Sequence, residues 1–182
     1  GARLQAIDNA CVRGKELTSL VLSYAKNEVT LEEDIDLNEI VTSVVELLAS
    51  TLKGKIEVSY NQVEGLAKIR GNRVHLGQVL LNIANNAIVA MGEKGTLSFQ
   101  LETLEVSDNL KASTCLEVEP GNYVGVSISD TGKGISPTSL NHIFEPFYTS
   151  GKEGKGCGLG LSIVKSLVQN YGGFVTVDSN WL

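Results

Sequence analysis

Cysteine is scarce: Cys11, Cys115 and Cys157 make an odd number, lie far apart and form no C-x-x-C pair. Such a set builds neither a disulfide framework nor a zinc site, and it suits a reducing compartment. Basic residues are also few, 15 Lys and Arg against 21 Asp and Glu, which leaves a formal net charge of -6. Binding along a nucleic-acid backbone needs a concentrated basic face. None is found here, so nucleic acid is not expected as a partner. Long apolar runs are missing too, since nothing approaches the ~18 uninterrupted apolar residues of a membrane span. Residues 1–15 carry scattered charge in place of a basic start and an apolar stretch, so no signal peptide is expected there. A membrane anchor, if there is one, is expected outside these residues.

What is present describes a soluble globular protein. With 42% hydrophobic and 20% charged residues over 182 positions, the chain can hold one domain with a substantial core and a small appendage. From Leu4 to about Lys26 no proline occurs, and Ile7, Ala10, Gly14, Leu17, Val21 and Tyr24 alternate spacings of three and four. This pattern predicts a helix with one narrow seam, buried against a partner helix or against its own domain. The acidic stretch over residues 28–36 reads as a linker. Asp36 and Glu39 then form a D-x-x-E capping signal for a helix to about Thr51, where the globular domain, residues 37–182, begins.

Lys55 to Tyr60 and Ala67 to Arg70 predict short strands around a Glu64-Gly65 turn, followed by a long helix from about Arg73 to Met91. Gly95 to Val106 and Tyr123 to Ser129 are stronger strands, and Ser107 to Gly121 between them is an excursion of low definition. From Asp130 to Gly160 seven glycines and two prolines crowd the chain, the mark of a long functional loop. A helix from Leu159 to Tyr171, a Gly172-Gly173 stop and a strand from Phe174 to Ser179 complete the reading. Helices and strands fall in separate groups, which predicts an α/β fold: a two-layer sandwich with a mixed sheet covered on one face by helices.

Three features carry chemistry. On the helix from Arg73 to Met91, Asn82 and Asn86 sit four apart, away from the apolar face of Leu76, Val79, Leu80, Ile83, Ala87 and Met91. Asparagine is a poor residue for a helix interior because its amide competes for backbone hydrogen bonds. A carboxamide oxygen can ligate Mg²⁺ without adding charge, although a solvated face would also hold asparagines. Ser129-Asp130-Thr131-Gly132-Lys133-Gly134-Ile135 ends a strand and turns sharply. A buried carboxylate at Asp130 could accept the hydrogen bond of an exocyclic amine, while Gly132 and Gly134 let backbone come close to a ligand; ordinary turns share this spacing. Gly156-Cys157-Gly158-Leu159-Gly160-Leu161 opens the next helix, so bare N–H groups and the positive helix end can face phosphate. It lacks the Gly-Lys-Ser/Thr of a Walker loop. Between the glycine clusters, Ile143, Phe144, Phe147 and Tyr148 offer apolar anchors or plain core packing.

Together, Asn82-Ile83-Ala84-Asn85-Asn86, Asp130 to Gly134, Phe144-Glu145-Pro146-Phe147 and Gly156 to Gly160 resemble, in order and spacing, the N, G1, F and G2 boxes of bacterial sensor histidine kinases. Arg13 through Ala25 resembles the second helix of that family's dimerisation domain, here residues 1–27. The resemblance implies a GHKL (Bergerat) ATP-binding fold with ATP and Mg²⁺ as cofactors. Asn86 would ligate the metal, Asn82 would support the triphosphate and Asp130 would hold the adenine amine. Gly132, Gly134 and Ile135 would shape the adenine pocket, Phe144 and Phe147 would anchor a lid, Lys152 and Lys155 would add charge from it, and Gly156, Gly158, Leu159 and Gly160 would wrap the phosphates. It further implies phosphoryl transfer to a histidine and onward to the receiver domain of a response regulator. The whole protein would be a homodimer formed through the N-terminal helix, with this part cytoplasmic, free or below a membrane-anchored sensor.

Some positions depart from the family pattern. Cys157 replaces a threonine, Gly151 a lid lysine, Val89 a polar residue and Asn72 an aspartate, and the sequence ends at Leu182 before the family's final strand. Neither His75 nor His142 stands in the acidic helical context of a family phosphoacceptor, so the acceptor is expected upstream of Gly1. Two other readings compete: a degenerate, non-catalytic scaffold of the same fold, disfavoured by Asn86, Asp130 and the glycine boxes, and a hydrolytic relative, disfavoured because Asn82 stands where those enzymes place a glutamate base.

Overall fold

The computed structural model describes residues 32–52, 54–92, 94–107, 119–149 and 157–181. The helix expected before Lys26, the start of the linker, most of the excursion after Ser107, and Gly151, Lys152, Lys155 and Gly156 lie outside the described residues.

Strand β1, Glu33–Ile35, pairs antiparallel with β3, Ile69–Gly71, in the register Glu33↔Gly71. The linker reading is corrected here. Two of its three residues, Glu33 and Asp34, carry little strand propensity of their own, but β3 supplies a ladder. Arg70 pairs with Glu32 at 3.4 Å and Arg73 with Glu33 at 2.9 Å, which offsets the charge.

Helix α1, Leu37–Leu52, buries Leu37, Ile40, Val41, Val44 and Leu48, an i, i+3, i+4, i+7 stripe. Asp36 caps it, with the Asn38 backbone N–H donating to Asp36 Oδ1 at 2.9 Å. Only half of the expected capping box forms, because the Glu39 carboxylate turns outward to Arg73 Nη2 at 2.8 Å.

Strand β2, Ile56–Tyr60, runs parallel to β4, Gly95–Val106, and β4 pairs antiparallel with β5, Gly121–Asp130, giving a mixed sheet in the order β2-β4-β5. The two short strands on either side of Gly65 therefore enter different sheets. Along β4, Leu97, Phe99 and Leu101 are buried on one face with α1 and α2, while Ser98, Gln100 and Glu102 alternate to the other. This is the two-layer sandwich expected, helices on one face of a mixed sheet. Truncating Leu97, which is fully buried, would cost about 2–5 kcal/mol.

Helix α2 spans Arg73–Met91. Asn72, noted as a departure in the sequence, is its N-cap: Oδ1 accepts from Val74 N at 2.8 Å and His75 N at 3.2 Å. Among the described residues α2 alone is long and apolar enough to cross a membrane, with a mean hydropathy of 1.3. Its Leu80, Ala84 and Ala87 lie in the main core and Val79 in a second cluster, so within this fold it is a core helix.

The loop after β5 contains one turn of helix, α3, Pro137–Leu140, capped by Ser136. Helix α4, Gly160–Asn170, packs on α2 through Leu159, Ile163, Val164 and Leu167, all buried around Val79. The strand expected over Phe174 to Ser179 does not form. Val175, Thr176 and Val177 have the propensity, but strand structure needs a ladder in register. This segment is held by side chains instead: the Phe174 ring meets Tyr123 edge-on at 5.6 Å and Val175 packs on the second cluster.

Candidate functional site

The site lies along the rim where α2, α4 and the end of β5 meet. Core packing of Val79, Leu80, Ala84 and Ala87 fixes the rotation of α2 about its axis, and this leaves Asn82 half-buried and Asn86 exposed on other faces. Asn82 Nδ2 donates to the Gly160 carbonyl at 3.4 Å. A Cβ on Gly160 would lie 3.7 Å from Asn86 Nδ2 and 3.9 Å from Asn82 Cβ, so both carboxamides border the first residue of α4. Those are ordinary contacts. Packing against α2 does not require glycine at 160, and with no side chain there a ligand can come close to the backbone.

Helix α4 starts without a side-chain cap. Among the described residues no side chain caps its first N–H groups, which have no intrahelical partner and sit at the positive end of the helix dipole. The loop before it is held from below by Leu159, 1% exposed in the second cluster. Gly158, at φ 68°, is pressed against the chain that precedes the loop: a Cβ there would lie 2.5 Å from the Tyr148 carbonyl oxygen and 2.6 Å from Phe147 C. Only glycine fits. Cys157 packs against the same cluster as Leu159.

The D-x-G-x-G turn follows β5. Directly opposed residues of an antiparallel pair share a face, so the register Leu97↔Asp130 puts Asp130 on the helix-covered face. Its carboxylate is nevertheless exposed, not buried as expected, because α2 ends beside the turn at Met91 without covering it. Asp130 Oδ1 accepts from Gly132 N at 2.8 Å. Gly132 abuts the end of α2, where a Cβ would lie 2.8 Å from Ala90 Cβ, and Lys133 N donates to Ala90 O at 3.4 Å. On its other side the turn meets the C-terminal segment. A Cβ on Gly134 would collide with the Asn180 carbonyl, and Ile135 N donates to Ser179 Oγ at 2.8 Å.

In the segment before the second glycine loop, Ile143 is buried and Phe144 half-buried beneath the Lys165 ammonium, 6.0 Å from its ring centroid. Phe147 differs. Its ring is 62% exposed, so the apolar anchoring expected of it falls to Ile143 and Phe144. The backbone of Phe147 makes the attachment instead, donating to the Gly158 carbonyl at 2.9 Å. Spacing announced this segment but could not separate ring from backbone. His75, half-buried, shares a 2.7 Å hydrogen bond with the Tyr171 hydroxyl, and His142 pairs with Glu145 at 2.9 Å. Thr131, Gly95 and Asn72 were not singled out as part of the site's frame; their roles depend on contacts between elements.

A sandwich of this layering, helices over one face of a mixed sheet with two asparagines and two glycine turns along one rim, places the domain in the α/β class. The chain belongs to the family of histidine kinase-, DNA gyrase B- and HSP90-like ATPases, whose model matches residues 71–181. It is 31% identical to the sensor kinase CckA of Brucella abortus over 92% of this chain and 18% of that protein. It is 30% identical to the sensor histidine kinase ZraS of Salmonella typhimurium over 92% of this chain and 32% of that protein. The chain thus spans only 18% to 32% of the length of these curated relatives. Among solved structures, the catalytic domain of the histidine kinase ThkA matches at TM-score 0.59 and 27% identity, covering 77% of this chain and 81% of that one. Full-length ShkA in complex with AMPPNP matches at TM-score 0.58 and 28% identity, covering 76% of this chain and 26% of that one.

Proposed function

We propose that this chain is the ATP-binding catalytic part of a sensor histidine kinase, transferring the γ-phosphoryl group of ATP to a histidine outside the chain for relay to an aspartate of a response regulator. The observation that carries the proposal is the convergence of Asn82 and Asn86 on the uncapped start of α4. Family membership and the AMPPNP bound by ShkA support it.

Among the described residues no group of three or more His, Cys, Asp and Glu could hold a metal by itself. A neutral carboxamide donor set fits a cation that arrives with a triphosphate already balancing its charge. Asn86 would hold Mg²⁺ through its amide oxygen, beside Asn82. When bound, the metal supplies neutralisation of charge on the phosphate oxygens. The α4 N–H groups at Gly160 and beyond would take phosphate oxygens, and Gly158 would keep the backbone near them. Lys152, Lys155 and Gly156 would complete this wrapping. Asp130 would read the adenine amine, with Gly132, Gly134 and Ile135 shaping the pocket beside it. Phosphoryl transfer needs positioning and charge stabilisation more than covalent help from the protein, and these residues supply the first. Asn82 cannot take a proton from water as a glutamate could, which favours transfer over hydrolysis.

Partners follow from the same reading: ATP, a receiver domain, and a second copy through the N-terminal helix, with this part on the cytoplasmic side. The test is incubation with γ-labelled ATP, alone and with a separate dimerisation domain carrying an acceptor histidine. Acid-labile label on the added domain only is expected. Label on this chain that is abolished by His75→Gln or His142→Gln would overturn the placing of the acceptor, and no label on either would overturn the kinase reading.

A further inference from the structure

We propose that Thr131 is a positioning residue for adenine recognition, its hydroxyl setting the direction in which Asp130 presents its carboxylate; this rests on the reading of Asp130 as the contact for the base. The last rung of the β4–β5 ladder is Leu97↔Asp130. Beyond it the chain leaves the sheet, and the next N–H of β4, that of Thr96, donates to the Thr131 side chain, Oγ1, at 3.0 Å. The hydroxyl thus stands in for the backbone carbonyl that would continue the ladder. The main chain is released to turn at the residue after Asp130, while the turn stays tied to the sheet.

The same oxygen lies 3.8 Å from Met91 Sδ at the end of α2. On the side of Gly95 there is no room to spare, because a Cβ there would fall 2.8 Å from Thr131 Oγ1 and collide with Met91 Sδ. Thr131 therefore pins the turn to β4 at the point where α2 ends. One Asp130 carboxylate oxygen is held from the other side by the Gly132 N–H at 2.8 Å. With the backbone fixed on one side and Oδ1 on the other, the orientation of the carboxylate is set before any base arrives, and such preorganisation raises affinity by removing an ordering cost.

Thr131→Val keeps the shape and removes the acceptor, and Thr131→Ser keeps the acceptor. The measurement is binding of ATP and of purine riboside triphosphate, which lacks the 6-amino group, to the wild-type chain, both variants and Asp130→Asn. We expect Thr131→Val to weaken ATP about fivefold, the size of one neutral hydrogen bond, and to leave the purine analogue unchanged. Thr131→Ser restores the preference. If ATP and the analogue weaken together in Thr131→Val, the residue is merely structural and the inference is overturned. It is also overturned, alone, if Asp130→Asn abolishes the preference for ATP and Thr131→Val leaves it undiminished. If Asp130→Asn leaves the preference intact, the reading of Asp130 as the adenine contact fails, and the inference falls with it.

Discussion

Phe147 and Gly158 both stand in left-handed backbone conformations, at φ 67° and 68°, and the amide of the first donates to the carbonyl of the second at 2.9 Å. Each end of the intervening segment is thereby fixed to the other. The conformation costs glycine little, but an L-residue with a side chain meets its own carbonyl there, at roughly 1–2 kcal/mol. Phe147 carries that strain with a mostly exposed ring, so little packing compensates it.

Replacing Phe147 with alanine and with glycine separates the two contributions. Both variants remove the ring, and only glycine relieves the backbone. We expect Phe147→Gly to be more stable than Phe147→Ala by about 1 kcal/mol in urea unfolding, reduced somewhat by the greater entropy of the unfolded glycine chain. Equal midpoints for the two variants would show that the positive φ at 147 stores no strain.

Leu159→Ala should both destabilise the domain and weaken nucleotide binding. The side chain is 1% exposed within the cluster that joins α4 to α2, so its truncation costs about 2–5 kcal/mol. It is also flanked by Gly158 and Gly160, so a cavity beneath it loosens the loop that would meet phosphate. Calorimetry of unfolding and of ATP binding tests both, and a variant that loses stability while binding ATP as tightly as before would show the loop to be held by other contacts.

Asn86→Ala is expected to abolish the Mg²⁺ dependence of ATP binding and to change the fold little, because the side chain is exposed and forms no part of the core. Affinity for ATP measured with Mg²⁺ and with EDTA should then converge. Undiminished Mg²⁺ dependence would remove Asn86 from the metal site.

Tyr60 and Tyr171 give the domain an alkaline limit. Burial, followed by the nearby charge of Asp36 or Glu32 respectively, raises both phenols above their ordinary range, although a hydrogen bond from the Asn72 backbone opposes this at Tyr171. The folded state therefore binds more protons than the unfolded state once pH exceeds the unfolded phenol value near 10. Their contribution is complete below that pH and is lost as pH rises through the raised folded values. Tyr60→Phe should lower stability at pH 8, since the hydroxyl donates to Asn38 Oδ1 at 2.6 Å, and should flatten the fall between pH 9 and about 11. A fall of the same steepness in the variant would assign the alkaline limit to other groups.

The sequence alone determined what depends on neighbours in the chain. The period of Leu37, Ile40, Val41, Val44 and Leu48, the run from Arg73 to Met91, and the alternation of β4 are local patterns, and the helices and strands they predict form within one or two residues of the expected ends. Glycine spacing likewise marked both turns, because a left-handed or crowded backbone restricts residue choice wherever it occurs. Tertiary structure decided whatever depends on a partner remote in sequence. Glu33–Ile35 became a strand because β3 lies beside it, and Phe174 to Ser179 did not because its attachments are side-chain contacts. Asp130 proved exposed because α2 ends at Met91, and Phe147 attached through its amide because Gly158 presents a carbonyl to it. The hydroxyl of Thr131 came to end the ladder only because β4 starts opposite it, at Gly95 and Thr96. Hydrogen bonds and steric contact act over a few ångströms, whereas the residues they join here can stand far apart in the chain, as Ile135 and Ser179 do at 44 positions, so no local pattern in the sequence encodes them.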